Sequence, residues 1–494
     1  MKGLVVYIDS EIGVNDKKIK DLGAVRENGA EFHSANLKGF FDFISDADFI
    51  CGHNIIHHDL KYIVPALNAP VQAAFIDTLY LSPLLFPERP YHKLLKDDKL
   101  CTDELNNPLN DSKKAQKLFH DEVNAFWALP EQVRKIFYLL LNSAEEFRGF
   151  FDYLGYRSEP CNLSDLIHNE YCDKICLNSQ LDPFIKQRPI ELAYALALIG
   201  VSDYHSVTPP WLTHRFPNIE NIIKLLCNTP CRPACDYCLN TLDIHKKLGE
   251  FFGYKEFRKY NNEALQEEAV QAAVEGKSLL AVFPTGGGKS ITFQLPALMA
   301  GQTEHGLTVV ISPLQSLMKD QVDNLNEKGL ADAVTVNGLL SPVERAEALK
   351  RVSDGLATLL YISPEQLRSR TIERHLLSRN VVRFVIDEAH CFSAWGQDFR
   401  VDYLYIGDFI REYQQKKCME NPIPVSCFTA TAKQKVISDI CDYFKEKLDL
   451  DLLLFASAAA RTNLRYTVLF KETDEEKYST LRSLVGQKDC PAII

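Results

Sequence analysis

The chain has 494 residues, of which 46% are hydrophobic, and a formal net charge of -11. That length suggests roughly three domains with ample apolar material for packed cores, which excludes a disordered or low-complexity chain, and the negative balance argues against general attraction to a polyanion. No run approaches the roughly 20 apolar residues of a bilayer-spanning helix, and the short, quickly acidic N-terminus from Lys2 to Asp9 does not read as a signal peptide.

These features predict a cytoplasmic protein, nucleoid-associated if bacterial, whose 14 cysteines are reduced and bind metal where they cluster. If nucleic acid is its substrate, a local groove must bind it.

Residues 1–126 open with a strand signal from Leu4 to Ile8 that ends in Asp9-x-Glu11. Asp48 to Ile50 leads into Gly52-His53-Asn54 and on to Asp59, and Asn107-Pro108-Leu109-Asn110-Asp111 precedes a helical pattern to Phe126. Asp9, Glu11, Asp59 and Asp111 are therefore carboxylates at or near element ends. Such oxygen clusters suit hard cations, Mg²⁺ or Mn²⁺, and two ions about 3.5 to 4 Å apart can activate water for phosphodiester cleavage. The stretch resembles the DEDD-type, DnaQ-like 3′-5′ exonucleases, and the resemblance implies a ribonuclease-H-like fold with these four residues as metal ligands. Where that family places a general-base histidine or tyrosine, this sequence has Asn106 and Asn107. Neither amide accepts a proton at neutral pH, so a base must come from elsewhere, with His57, His58, His92 and His120 as candidates. A nuclease fold kept for DNA binding or docking is the other expectation.

Residues 127–226 carry apolar spacing of three and four and read as a helical connecting domain, with no role assigned to Cys172-x₃-Cys176. In residues 227–247 four thiols fall within twelve positions, Cys227, Cys231, Cys235 and Cys238, broken by Pro230 and Pro233. Four thiolates can hold Zn²⁺ or an iron-sulfur cluster, and His245 is an alternative to Cys227 as the fourth ligand.

Residues 248–470 hold the densest signals. Ser278 to Val282 is an apolar run that meets Phe283-Pro284-Thr285-Gly286-Gly287-Gly288-Lys289-Ser290, a loop whose glycines let amides approach phosphate oxygens. Lys289 supplies charge for the outer phosphates, Ser290 a hydroxyl for Mg²⁺, and the following helix its positive end. Upstream, Gln266 offers the donor and acceptor an adenine edge requires, with Tyr254 and Arg258 placed to stack on the base, so ATP is expected over GTP. Strands are predicted at Leu307 to Ile311, Leu359 to Ile362, Val381 to Ile386 and Val425 to Phe428. Loops after parallel strands collect on one face, where Ser312-Pro313 and Ser363-Pro364 suit a DNA backbone. Asp387 is suited to hold Mg²⁺ opposite Ser290, Glu388 to orient or deprotonate the attacking water, and His390 to couple the site to its neighbours. Phe392, Trp395 and Phe399, with Asp398 and Arg400, read as an aromatic loop that stacks on unpaired bases, a buried aromatic cluster being the alternative. Thr429 and Thr431 stand where hydroxyls can bridge ATP and DNA.

Taken together, Phe252 to about Val468 resembles the first RecA-like motor domain of the RecQ family of superfamily-2 DNA helicases, through P-T-G-G-G-K-S, D-E-A-H-C, W-G-x-D-F-R and F-T-A-T-A. Gln397 and Ala394 depart from the family's usual histidine and glutamine, and extra residues separate Arg258 from Gln266. The resemblance implies ATP-driven 3′-5′ translocation on DNA and duplex unwinding in repair or recombination, with single-stranded DNA and duplex junctions as partners. A DNA-binding scaffold with weak motor and nuclease domains, or an RNA helicase, are the alternatives. Residues 471–494 read as the start of a second motor domain cut mid-element, and hydrolysis by this chain alone is expected to be poor. The overall expectation is α/β: a ribonuclease-H-like domain, a helical region with a Cys cluster, and a RecA-like parallel-sheet motor domain.

Overall fold

The computed structural model describes residues 3–13, 15–67, 71–89, 92, 107–201, 206–284, 286–393, 401–419, 421–430, 433–457 and 467–486. It divides into a unit of Met1–Ser457 and a second of Ala458–Ile494. Among the described residues no helix is long and apolar enough to cross a membrane.

The N-terminal sheet contains β1 (Val5–Ile12), β2 (Ile19–Arg26), β3 (Glu31–His33), β4 (Phe49–Gly52) and β5 (Ala74–Asp77) in the order β3-β2-β1-β4-β5. β1, β2 and β3 pair antiparallel, whereas β1, β4 and β5 pair parallel. Side chains alternate across β1. Val6 and Ile8 face a small core with Leu22, Phe40 and Ile50. Val5 and Tyr7 face a much larger one, shared with Phe119, Phe137, Phe150, Leu196, Ile223 and Cys227. The boundary expected at 126 therefore falls inside the helix Pro108–Ala128, and the helices that follow it pack into the same core as the sheet.

The motor sheet contains β6 (Leu279–Val282), β7 (Leu307–Ile311), β8 (Ala333–Val336), β9 (Leu359–Ile362), β10 (Val381–Ile386), β11 (Val425–Thr429) and β12 (Leu453–Ala456). Its order is β12-β6-β11-β10-β7-β9-β8, and every pairing is parallel. Both faces of the central strands are covered, which is why they read in the sequence as unbroken apolar runs. The four strands predicted from those runs all form, as does β6 from the apolar run Ser278 to Val282, together with β8 and β12, which carried no such prediction. This is a fully parallel seven-stranded α/β sheet, the architecture expected of the RecA-like domain. One buried cation ties its base together: Arg383 on β10 donates to the carbonyls of Lys277 and Ala273, at 3.0 and 2.7 Å, and to Ser426 Oγ at 2.9 Å.

The second unit contains the helix Asp474–Gly486, with three acidic residues in its first turn. Residues 487–494, the end of the stretch expected to begin a second motor domain, lie outside the described residues.

Candidate functional site

β6 ends at Val282, and the chain turns through Gly286 and Gly288 into the helix Lys289–Glu304. Gly288 has φ +85° and caps that helix without a side-chain hydrogen bond, so the first-turn N–H groups remain available to an anion. A Cβ on Gly288 would lie 2.8 Å from Gln266 Nε2, so the turn accepts no larger residue without displacing that amide. Three upstream side chains hold the loop. Arg258 donates to the Gly286 carbonyl at 2.6 Å, Tyr260 donates its hydroxyl to the Gly287 carbonyl, and Gln266 Nε2 donates to the Gly288 carbonyl at 2.9 Å.

Gln266 is 2% exposed, and its Oε1 also accepts the Arg258 N–H at 2.7 Å. The side chain expected to read adenine is thus also a clamp between two backbone segments, and it retains one N–H and one lone pair for a base. Beside it lies a cavity of about 320 Å³ whose lining includes Tyr254, Arg258, Gln266, Gly288 and Ser290. Tyr260, not singled out in the sequence, also stacks on Phe283 with ring centroids 4.7 Å apart. An aromatic between Arg258 and Gln266 was its only signal. Thr285 lies outside the described residues.

On the neighbouring strand ends, Lys289 Nζ approaches Glu388 Oε1 at 3.8 Å, and Glu388 Oε2 is 3.2 Å from His390 Nδ1. His390 Nδ1 is in turn 3.4 Å from Thr429 Oγ1 at the end of β11. Lys289, Glu388, His390 and Thr429 are therefore joined by a continuous run of contacts. Burial pushes the Asp387 carboxyl up and the Glu388 charge adds to this, opposed by Lys289 and by hydrogen bonds from the Glu388 N–H at 3.0 Å and Ser312 Oγ at 3.4 Å. A divalent cation would reverse that upward shift, so the acid is suited to one.

Phe392 corrects an expectation. It is 5% exposed and packs on Tyr443, Tyr403 and Phe444 at 4.5, 5.4 and 5.2 Å between ring centroids, so its ring is spent on the core and cannot stack on a base. The rest of that loop, Trp395, Asp398, Phe399 and Arg400, lies outside the described residues, as does Thr431.

In the N-terminal sheet, Asp9 and Glu11 sit two apart on the central strand β1 and share a face. Asp59, 2% exposed, accepts from the Ser10 N–H at 3.0 Å and from the Ser10 hydroxyl. Asp111 lies in the first turn of Pro108–Ala128, with Lys114 Nζ 3.6 Å away. Gly23, the register partner of Asp9, brings that helix close: a Cβ there would lie 2.2 Å from the backbone of Leu109. The fold thus gathers elements bearing all four carboxylates around β1. Their oxygens do not converge within 4.8 Å of one another as a group of three or more.

Asn107 caps the helix, accepting from Leu109 and Asn110, and Asn106 lies outside the described residues. Of the candidate bases, His57 meets Arg215 at 2.6 Å, His92 meets Ser82 at 2.8 Å, and His120 meets Glu27 at 3.0 Å. His58 lies beside one of the carboxylates, with Nδ1 3.4 Å from Asp59 Oδ2, and that hydrogen bond raises its pKa.

The thiol cluster is also corrected. Cys176, Cys231, Cys235 and Cys238 bring their sulfurs within 4.8 Å of one another, the one such group of ligands among the described residues. Cys227 ends the helix Ile219–Cys227 and turns into the apolar core, 2% exposed. His245 pairs instead with Glu267 at 3.0 Å. Cys176 comes from 55 positions upstream of Cys231, so spacing could not point to it. The signal was negative: Cys231-x₃-Cys235-x₂-Cys238 is a compact trio that lacks a fourth.

Residues 263–440 match the DEAD/DEAH box helicase family. The ATP-dependent DNA helicase RecQ of Bacillus subtilis is 44% identical over 39% of this chain and 30% of its own length. The probable ATP-dependent DNA helicase RecS of the same organism is 34% identical over 51% of this chain and 46% of its own. Among solved structures, the DUF1998 helicase MrfA is similar over 49% of this chain and 41% of its own, at 20% identity and a TM-score of 0.36. The chain thus spans less than half the length of these relatives.

Proposed function

From the DEAD/DEAH box helicase domain that this chain carries, with RecQ-type helicases as relatives, we propose a DNA motor that couples ATP hydrolysis to 3′-5′ unwinding in repair or recombination. The observation that carries this reading is the contact chain from Lys289 through Glu388 and His390 to Thr429, which joins the phosphate loop to the ends of β10 and β11. ATP fits the cradle by its positive-φ glycines, its uncapped helix N-terminus and the cavity beside Gln266. Lys289 and the first-turn amides bind phosphate oxygens, Tyr254 and Arg258 flank the base, and Gln266 fixes the loop and meets the adenine edge. Ser290 and Asp387 would hold Mg²⁺, which when bound neutralises phosphate charge. Glu388 orients the attacking water and accepts its proton, and its contact with His390 relays the state of the site towards Thr429 and bound DNA.

The test is Mg-ATP binding and nucleic-acid-stimulated hydrolysis, with Lys289→Ala as the control. Unchanged ATP binding in that variant, or stimulation by RNA and not by DNA, would overturn the proposal.

We also read the N-terminal sheet as a Mg²⁺- or Mn²⁺-dependent 3′-5′ exonuclease site built on Asp9, Glu11, Asp59 and Asp111. What favours it is the docking of the Asp111 helix against Gly23, the partner of Asp9. His58, beside Asp59, is the base that the missing histidine calls for. Trimming of single-stranded DNA by the whole chain with Mn²⁺ should vanish in Asp9→Ala and fall in His58→Ala. Trimming that survives Asp9→Ala, or none by the parent chain, excludes the site.

A further inference from the structure

We propose that Cys176, Cys231, Cys235 and Cys238 form a tetrahedral zinc site that fastens the helical region to the segment entering the nucleotide site. Its ligands come from two places: the turn after the helix Leu163–Glu170, and the stretch that runs into the short helix Asp236–Thr241.

Distance favours a single ion. Zinc–sulfur bonds of about 2.3 Å in a tetrahedron set sulfur–sulfur edges of about 3.8 Å. The sulfurs of Cys231 and Cys238 are 3.7 Å apart and those of Cys235 and Cys176 are 3.9 Å apart. All four are free thiols. A four-iron cluster stands between its thiolates and holds them farther from one another than a single ion does.

The surroundings suit thiolate ligands. The Cys235 N–H donates to Cys231 Sγ at 3.2 Å, and Asn178 Nδ2 donates to the same sulfur at 3.3 Å. These donors orient the ligand and offset its negative charge. Among the described residues the apolar cluster around the thiols is small: Cys176, Tyr237, Cys238 and Leu242 are buried in it, and Cys231 and Cys235 pack against them, so packing contributes little to holding this segment. A metal cross-link supplies what the apolar contacts do not.

The same segment reaches the neighbouring domain by one ion pair and one histidine–carboxylate contact onto the helix Leu265–Val274 and its end. Arg232 meets Glu275 at 3.3 Å, and His245 meets Glu267, the residue after Gln266, at 3.0 Å. The zinc site therefore braces the ground on which the Gln266 clamp stands. The assignment rests on the thiols alone and holds whatever nucleotide the chain binds.

The test is the metal content of the purified chain by elemental mass spectrometry, followed by Co²⁺ titration of the metal-free chain. One zinc per chain and the spectrum of tetrahedral cobalt with four thiolates are expected. Cys176→Ser should lose the metal or show a three-thiolate spectrum, while Cys227→Ala should keep both content and spectrum. Asn178→Ala, which leaves every ligand in place, should weaken Co²⁺ affinity about tenfold to a hundredfold without changing the spectrum. If Cys176→Ser fails to fold, the parent cobalt spectrum and the Asn178→Ala affinity decide. Iron with acid-labile sulfide, loss of metal in Cys227→Ala but not in Cys176→Ser, or a chain that takes up neither zinc nor cobalt would each overturn the assignment.

Discussion

Replacing Gln266 by alanine removes two hydrogen bonds from a side chain that is 2% exposed: the one accepted from the Arg258 N–H at 2.7 Å and the one donated to the Gly288 carbonyl at 2.9 Å. Each is a neutral bond with a net value of about 0.5 to 1.5 kcal/mol, so the pair holds the phosphate loop in place by about 1 to 3 kcal/mol. If that ordering is what ATP requires, Kd for Mg-ATP should rise about 5- to 150-fold. Gln266→Glu is a sharper probe. It keeps the acceptor for Arg258 but sets an oxygen against the Gly288 carbonyl and a negative charge beside the phosphates, so its loss should be at least as large. Calorimetric titration of Mg-ATP into both variants, with Gln271→Ala on the same helix as a control, measures this directly. Kd values within about twofold of the parent for both Gln266 variants, at unchanged melting temperature, would refute the clamp.

Other outcomes follow from the same contacts. Glu388→Gln should bind Mg-ATP almost as the parent does while slowing hydrolysis about 10²- to 10⁴-fold, since it keeps the shape of the side chain and removes the proton acceptor; a parallel loss of binding would point to a structural role. Arg383→Met should lower stability by about 3 to 5 kcal/mol, because it leaves the carbonyls of Ala273 and Lys277 and the hydroxyl of Ser426 without their donor and removes a buried positive charge near Glu304, read as a fall in the denaturation midpoint. Burial holds the His53 and His92 rings at about 4, below the usual 6.5, so the unfolded chain binds protons in that window that the native chain does not. Stability contributed by the neutral rings is therefore complete above pH 6.5 and lost as pH falls towards 4, by up to about 3 kcal/mol for each ring. Melting curves of the parent and of His53→Gln with His92→Gln across that range should show a shallower acid slope in the double variant, and equal slopes would exclude these rings as the cause.

The motor sheet was legible because a parallel strand covered on both faces leaves a continuous apolar run, as in Val381 to Ile386, and because the phosphate loop is continuous in sequence. β12 was not legible: Leu453 and Leu454 at the sheet's margin are half-exposed, and so short a run carries no distinguishing pattern. The candidate nucleotide site was read residue by residue, yet the clamp made by Tyr260 and Gln266 depends on where a loop folds back, which side-chain type alone does not specify. The error at Cys227 has the same root. Neighbours in sequence were taken for neighbours in space, whereas the end of a helix turned that thiol into the core and a distant turn brought Cys176 to the trio. Phe392 shows that an aromatic close to an acidic pair at a strand end can be packing first.

The core shared by the N-terminal sheet and the helices after it also governs timing. The helices that pack directly on β1, β2 and β5 are Pro108–Ala128 and Glu145–Leu154, so that face of the sheet stays open until Leu154 is present, although β5 ends at Asp77. At a synthesis rate of about 5 to 20 residues per second, roughly 4 to 15 s separate the emergence of the last strand from that of the last helix that covers it. During that interval the sheet has one finished face and one open apolar face, and the growing chain must be kept from its neighbours until the helical cover arrives.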